Sequence, residues 1–357
     1  MDYLLTIPSS FILLISLINF LTIRTPDKSS QVQESISVIV PLRNEANNVG
    51  ELVASLKDQE NLTHVEFLLL DDNSEDDTLA LLQQHVSGLS NFQILSGTTL
   101  PQGWIGKTWA LQQLFDKSSG EIIVSVDADV RLVPDAISKA VTLLKNAQLD
   151  FLSPYPKQLA LSWSEKLIQP LLQWSWMSTV ILRVAEKSSL ASTVVANGQF
   201  FVVRKAALDQ VSGYNSVRNK VLDDVELARS LVKNGSHGCV ANGATIASTR
   251  MYSSWVEIQA GYGKSLHAAF GSVLGSAIAI TFLFLTGIAP LIAGITGSSI
   301  GWYAFAAVTL TRAMSAIKVG KTGLDAFLHP LSSALLIYLI IYSWMMRGQV
   351  QWKGRTL

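Results

Sequence analysis

Apolar and polar positions alternate with different periods along this chain, and each change of period marks a different kind of element. Residues 4–23 form an almost uncharged apolar stretch of about the length a bilayer core requires. Residues 27–34, DKSSQVQE, read as a polar linker. From Ser35 short β-branched runs at 36–40, 65–70, 92–95 and 122–126 alternate with amphipathic helical segments at 48–59, 78–85, 107–115 and 135–146. That alternation predicts an α/β domain with a mostly parallel sheet, whose ligands sit beyond the carboxyl ends of the strands. Residues 163–182 are apolar but interrupted by Glu165, Lys166 and Pro170 and carry Trp163, Trp174 and Trp176, which favours an interfacial position over a core helix. Residues 273–294 and 299–317 would make a helical hairpin turning at GITGSS, and 327–346 a further span. The pattern divides the chain into an anchor and linker (1–34), an α/β domain (35–266, with halves 35–150 and 151–266) and a transmembrane region (267–357).

Composition agrees with a membrane protein: 49% of the 357 residues are apolar and 15% charged, outside the usual balance of a soluble enzyme. Net charge is zero, so no general attraction to nucleic acid is expected. The lone cysteine, Cys239, excludes an intramolecular disulfide and a cysteine-based zinc site, and the five histidines show no metal-ligand spacing. Met1–Tyr3 offers no basic side chain whereas Arg24 and Lys28 follow the first apolar stretch, which predicts an uncleaved anchor with its C-terminal end, and the α/β domain, in the cytoplasm. Lys318 and Lys321 suit a cytoplasmic loop, yet four spans would then leave Arg347, Lys353 and Arg355 outside. One segment is therefore re-entrant or interfacial, or the charge rule fails at this end.

Candidate chemistry clusters at the strand ends. In VSVDADVRL, Asp127 and Asp129 follow the run 122–126 directly. As an Asp-rich turn they would bond their own backbone; as continuations of a strand they would point the same way and share one hard cation, Mg or Mn, completed by water and substrate phosphates. Two further clusters, Pro41–Glu45 (PLRNE) and Asp71–Thr78 (DDNSEDDT), follow the first two strands, with Asn44 or Asn47 and Asp76 or Asp77 available as helix caps. Pro101–Lys107 (PQGWIGK) is a plain turn or a loop whose glycines admit a ligand and whose Lys107 neutralises phosphate.

Taken together and in order, VIVPLRNE, LDDNSEDDT, GWIGK, VDADV and LDDVEL resemble the family 2 glycosyltransferases of the GT-A fold over 35–266. The resemblance implies that Asp72 recognises the nucleotide base, that Asp127 and Asp129 hold a divalent metal on the donor diphosphate, and that Asp224 is the catalytic base, with Asp where the family usually has Glu. Pro41, Arg43, Glu45, Gly103, Trp104, Gly106, Lys107 and Arg250 would complete the donor side; Arg250 is equally an ion-pair partner or interfacial anchor. Asn197, Gly198, Gln199 and Asp223 would border the acceptor, although a bulged strand at 197–201 and a helix cap at Asp223 or Asp224 explain the same residues. PQGWIGKTWA, NGQFFVVRKAAL, TRMYSSWVEIQAGYGKSL and QWKGR are similar to the membrane-bound subgroup acting on carotenoid acids, chlorobactene or hopanoid lipids. That implies an inverting, multi-pass cell-membrane hexosyltransferase using a nucleotide sugar, UDP-glucose as the expected donor, and a hydrophobic isoprenoid-derived acceptor. A polyprenyl-phosphate sugar synthase would need a basic acceptor site, for which 157–205 supplies few cations; a non-catalytic membrane subunit would have no use for the intact aspartates. A glycosidase has none for a nucleotide pocket. Where processive relatives carry Q-x-x-R-W this chain reads Gln259–Gly263, QAGYG, so one sugar per acceptor is expected.

Overall fold

The computed structural model describes residues 2–347, 351–352 and 355–356, so the QWKGR motif lies partly outside the described residues. Its packing divides the chain into two compact units. One comprises Arg24–Lys157 and Val184–Arg250, the other the described residues of Met1–Ile23, Gln158–Arg183 and Met251–Leu357. This division is discontinuous, where the hydrophobic pattern suggested three consecutive segments. Two short elements, β7 (Lys157–Gln158) and α7 (Leu182–Ala185), lie where the chain passes from one unit to the other.

The first unit is α/β. Strands β1 (Val32–Leu42), β2 (Leu62–Asp71), β3 (Phe92–Ser96), β4 (Ile122–Val126), β6 (Phe151–Tyr155), β8 (Phe200–Arg204) and β9 (Gly238–Asn242) form a seven-stranded sheet in the order β3-β2-β1-β4-β8-β6-β9. β3, β2, β1 and β4 are parallel, as expected, while β8 is inserted antiparallel between β4 and β6. A small antiparallel ladder joins β5 (Val130–Leu132) to β10 (Ala247–Thr249). The alternation of side chains along each strand feeds two cores. Val38, Val40, Leu69, Val124 and Val126 face α2 (Ala46–Lys57), α3 (Thr78–Val86) and α5 (Ala136–Asn146). Ile39, Leu68, Leu70, Ile123, Phe201 and Val203 face α4 (Gly106–Lys117), α8 (Lys205–Gln210) and α9 (Asp223–Lys233). Helices on both sides explain why the strands read as continuous apolar runs.

The second unit is helical: α1 (Asp2–Thr22), α6 (Trp163–Thr179), α10 (Trp255–Phe270), α11 (Val273–Leu283) passing through a π turn at Phe284–Ile288 into α12 (Ala289–Ile295), α13 (Ser299–Lys318), a 3-10 turn Leu324–Leu328, and α14 (His329–Met345). Three helical stretches, Tyr3–Thr22, Val273–Ile295 and Leu324–Met345, are long and apolar enough to cross a membrane. Within the stretch expected to be interfacial, α6 packs among these helices. Glu165, which interrupts its apolar pattern, closes a capping box with Ser162. Trp174 is 1% exposed and its indole donates to Thr311 at 2.8 Å, while Trp163 remains 72% exposed.

Contacts within this unit fix the helix directions. Leu5 packs with Ala293 and Ala304, which sets the start of α1 beside the end of α12 and the start of α13. Lys318 Nζ donates to the Phe20 carbonyl at 2.9 Å, so the ends of α1 and α13 meet. Trp344 Nε1 donates to Ser276 Oγ at 2.7 Å, bringing the end of α14 back to the start of α11.

Candidate active site

Parallel pairing of β1 and β2 sets Leu42 opposite Asp71, so the loops that follow emerge at the same level. Arg43 ties them together. Its buried guanidinium donates through Nη1 to the carbonyls of Asp72 (2.6 Å) and Asn73 (2.9 Å), and Nη2 pairs with Glu75 at 3.2 Å. Asn44, at φ 51°, donates its amide to Ser74 Oγ and accepts the Glu75 amide; the Glu45 amide donates to Thr78 Oγ1. Arg43 therefore braces the loop that presents Asp72. Asp72 is buried, and its amide donates to the Leu42 carbonyl. Of the expected caps, Asp76 bridges the two loops, accepting from Thr78 and the Ala46 amide.

Asp127 and Asp129 lie past the end of β4 in a turn, with the Val130 amide donating to the Asp127 carbonyl. Strand alternation, one of the two sequence expectations, thus gives way to the turn. The Asp127 amide donates to the Gln199 carbonyl, and Thr249 Oγ1 donates to Asp129 Oδ2 at 2.9 Å because the β5–β10 ladder pairs Thr249 with Val130. Lys107, in the first turn of α4, grips Asp127 at 2.8 Å (Oδ1) and 3.0 Å (Oδ2). Burial alone would lower the Lys107 ammonium, but Asp127, Asp223 and Asp224 hold it above its ordinary value. Burial and the neighbouring Asp127 charge push the Asp129 carboxyl up to about 6.

α9 begins at Asp223. The Asp224 carboxylate accepts from the Gly198 amide (Oδ2, 2.7 Å) and the Val225 amide (Oδ1, 2.8 Å). A Cβ on Gly198 would sit 3.1 Å from Asp224 Cβ, so this glycine is where the 197–199 loop closes on the candidate base. Burial raises the Asp224 carboxyl, opposed by Lys107 and the two amides. Asn197 Oδ1 accepts the Gln199 amide, and Ser153 Oγ binds both the amide and the carbonyl of Asn197.

Asp223 is pushed to about 6 by burial, with Lys107 opposing and Asp224 and Asp127 adding to the rise. A carboxyl raised in the folded chain contributes stability at acid pH that is lost as pH rises through about 6. Asp223→Asn is therefore expected to stabilise the fold near pH 8 by about 1 kcal/mol after allowance for solvent screening. The detergent-solubilised thermal midpoint should rise by about 2–4 °C at that pH, with the difference shrinking below pH 5.

The remaining expected residues are placed as follows. Gly103, at φ 84° with open space around a notional Cβ, makes a turn, and Trp104 packs edge-on against Trp109 at 5.0 Å. Gly106 is buried at the start of α4, Pro41 lies within β1 opposite Leu70, and Arg250 is exposed directly after Thr249. Thr249 and Ser153, which orient Asp129 and Asn197, carry no signal in the sequence beyond being small hydroxyls.

Among the described residues no three His, Cys, Asp or Glu side chains could together hold a metal. The Asp127–Asp129 pair is the candidate, and two carboxylates suit an ion that completes its shell with water and phosphate oxygens. Asp127 lies close enough to Asp129 for its charge to raise that carboxyl, the proximity a shared cation needs, and such an ion would share or displace the Lys107 ammonium on Asp127.

Residues 37–211 match the family model described as glycosyl transferase family 2. The chain is 27% identical over 195 residues to the β-monoglucosyldiacylglycerol synthase of Trichormus variabilis, covering 54% of this chain and 40% of that protein's length. It is 24% identical over 341 residues to the 4,4'-diaponeurosporenoate glycosyltransferase of Staphylococcus aureus, covering 90% of this chain and 88% of the relative. In structure it is similar to a mannosyltransferase from Pyrobaculum calidifontis, determined with GDP-mannose and Mn2+, at a TM-score of 0.51 and 14% identity over 94% of this chain and 98% of that one. With the ordered motifs, the sheet order and the family match in agreement, residues 37–211 make up a family 2 glycosyltransferase domain, and its fold is the GT-A fold.

Proposed function

We propose that this chain is a membrane-bound, inverting glycosyltransferase that moves one sugar, glucose from UDP-glucose, onto a hydrophobic isoprenoid-derived acceptor such as a carotenoid or hopanoid. The observation that carries the reading is the gathering of Asp127, Asp129, Asp223 and Asp224 around Lys107 at the end of β4. Carboxylates so crowded are costly unless cations offset them, Lys107 in part and a bound divalent cation the rest. The chain's likeness along most of its length to a protein named for a carotenoid acid supports the acceptor class.

In the reaction, the acceptor oxygen attacks the anomeric carbon from the face opposite the diphosphate. The new C–O bond forms as the bond to the diphosphate breaks, and the configuration inverts. Asp224, its carboxylate oriented by the Gly198 and Val225 amides, takes the proton of a hydroxyl acceptor. Lys107 is placed to meet the charge on the departing diphosphate. A divalent cation, Mn or Mg, held by Asp127 and Asp129 would add positive charge at the same place. Arg43 acts one step removed, by holding the loop of Asp72, to which we assign the nucleotide base.

Helix directions support a topology that removes the conflict in the charge pattern. We take α1, α11–α12 and, below the apolarity of those two, α13 to cross the bilayer, and α14, although long enough to span, to be re-entrant because its end returns to the start of α11. Lys318 beside the end of α1 and Trp344 beside the start of α11 then bring Arg24, Lys318, Lys321 and Arg347 to one face, the cytoplasmic one by the positive-inside rule.

The test is turnover of radiolabelled UDP-glucose by the full chain in detergent, with a carotenoid acid, a hopanoid alcohol and diacylglycerol as parallel acceptors. One hexose added per acceptor is expected. Long glycan chains, or label released as free glucose in every case, would remove the reading.

A further inference from the structure

Arg312 lies inside the helical unit. It is 1% exposed. Its Nη2 reaches the Lys166 carbonyl of α6 at 3.3 Å, and its Nε and Nη1 have no hydrogen-bond partner. The Asp325 charge acts on it through space, yet among the described residues Arg312 forms no ion pair.

Two polar side chains in its surroundings also leave an atom without a hydrogen-bond partner among the described residues. Gln169, one turn along α6 from Lys166 and 2% exposed, leaves Nε2 unpartnered. His329 at the start of α14 is close enough to feel the Arg312 charge, packs edge-on to Trp174 at 4.5 Å, and leaves Nδ1 unpartnered. Trp174 in turn donates to Thr311, next to Arg312 on α13. The place is thus fixed by α6, α13 and α14, where buried hydroxyls such as Thr309, Ser315 and Ser332 lie beside the apolar cluster of Ile168, Val308 and Leu339.

A guanidinium has donors and no acceptor, and an unpaired charge in such a setting is costly unless it serves a bound group. The complement to a guanidinium fork and an amide NH2 is a planar or tetrahedral set of anionic oxygens. We propose that Arg312 and Gln169 bind the anionic head group, carboxylate or phosphate, of a membrane amphiphile within the helical unit. The apolar helix faces around it would take the chain of the same molecule. The proposal does not depend on the sugar-transfer reading, because every residue it uses belongs to the helical unit.

The test uses the purified full chain in a neutral detergent and two matched pairs of probes: oleate against methyl oleate, and dioleoyl phosphatidic acid against dioleoylglycerol. The anionic member of at least one pair is expected to raise the thermal midpoint of the wild type, and its neutral partner not to. A response to oleate alone assigns a carboxylate head, and a response to phosphatidic acid alone a phospholipid phosphate. Arg312→Gln should weaken the responding anion about tenfold or more, with Arg312→Lys intermediate. Arg312→Met, relieved of a buried charge, should melt above the wild type without amphiphile and lose the response. Equal stabilisation by both members of each pair, or an undiminished response in Arg312→Gln, would overturn the proposal. Should the variants fail to fold, the wild-type pairs alone give the answer. Calorimetry with UDP on the same samples separates the two ideas: an amphiphile response without UDP binding counts against the glycosyltransferase reading and not against this site.

Discussion

Asp224→Asn is expected to lower kcat for a hydroxyl acceptor by about 100-fold to 10,000-fold, with little change in UDP affinity. The size is that of losing a positioned general base. Asn fits the same space and can keep one amide contact, so the fold should survive. The geometry makes the loss specific, because the Gly198 and Val225 amides hold both oxygens of this carboxylate. Burial raises its pKa, so protonation silences it at a higher pH than an ordinary carboxylate. The wild-type kcat/KM should therefore fall on the acid side through a midpoint above the usual carboxylate range, and the residual activity of Asp224→Asn should lack that limb. A carboxylate acceptor needs no proton removed near neutral pH, and for it the same substitution should cost much less. Steady-state rates with the two acceptor classes across pH 5–9 decide the matter; equal losses would remove Asp224 from the role of base.

Asp129→Ala should abolish the Mn-dependent part of UDP binding, weakening it by at least about 100-fold in calorimetric titration, since one of the two carboxylates proposed to hold the metal is gone. Thr249→Val should follow in the same direction with a smaller effect, because Thr249 Oγ1 fixes the orientation of Asp129. Without added metal, wild type and Asp129→Ala should bind UDP alike. If Asp129→Ala keeps metal-dependent binding, the turn at 127–129 is not the diphosphate site.

The sequence reveals the sheet well where strands are apolar throughout: β4 carries the bounds its composition suggests, and β1 to β3 are found with ends a few residues long or short. β6, with Pro154 inside it, carries no comparable pattern. The site is legible as a set of motifs but not as a set of contacts. Arg43 looks like a ligand residue because a cation in a strand-end loop has that chemistry; its partners include carbonyls of a loop 29 and 30 positions away and the Glu75 carboxylate. Gly198 invites a ligand-approach reading, and the structure adds a neighbour the sequence does not show, Asp224. In α6, Glu165 and Lys166 break the apolar pattern and suggest an interface. Their effect is local, a capping box and a carbonyl that meets Arg312, and periodicity has no means of seeing either.

The interleaving of the two units along the chain has a consequence for biogenesis. Central strand β4 acquires its second neighbour, β8, only after the ribosome has passed residues 158–183. That segment carries Ile168, Leu171 and Trp174, whose packing partners include helices made last. During synthesis it must wait, its apolar face covered by lipid or a chaperone, while the sheet closes around the gap it leaves. Trimming the chain from either terminus cannot release a soluble catalytic fragment, since the exposed face would remain in the middle of the sequence; a water-soluble form requires replacing 158–183 by a polar connection.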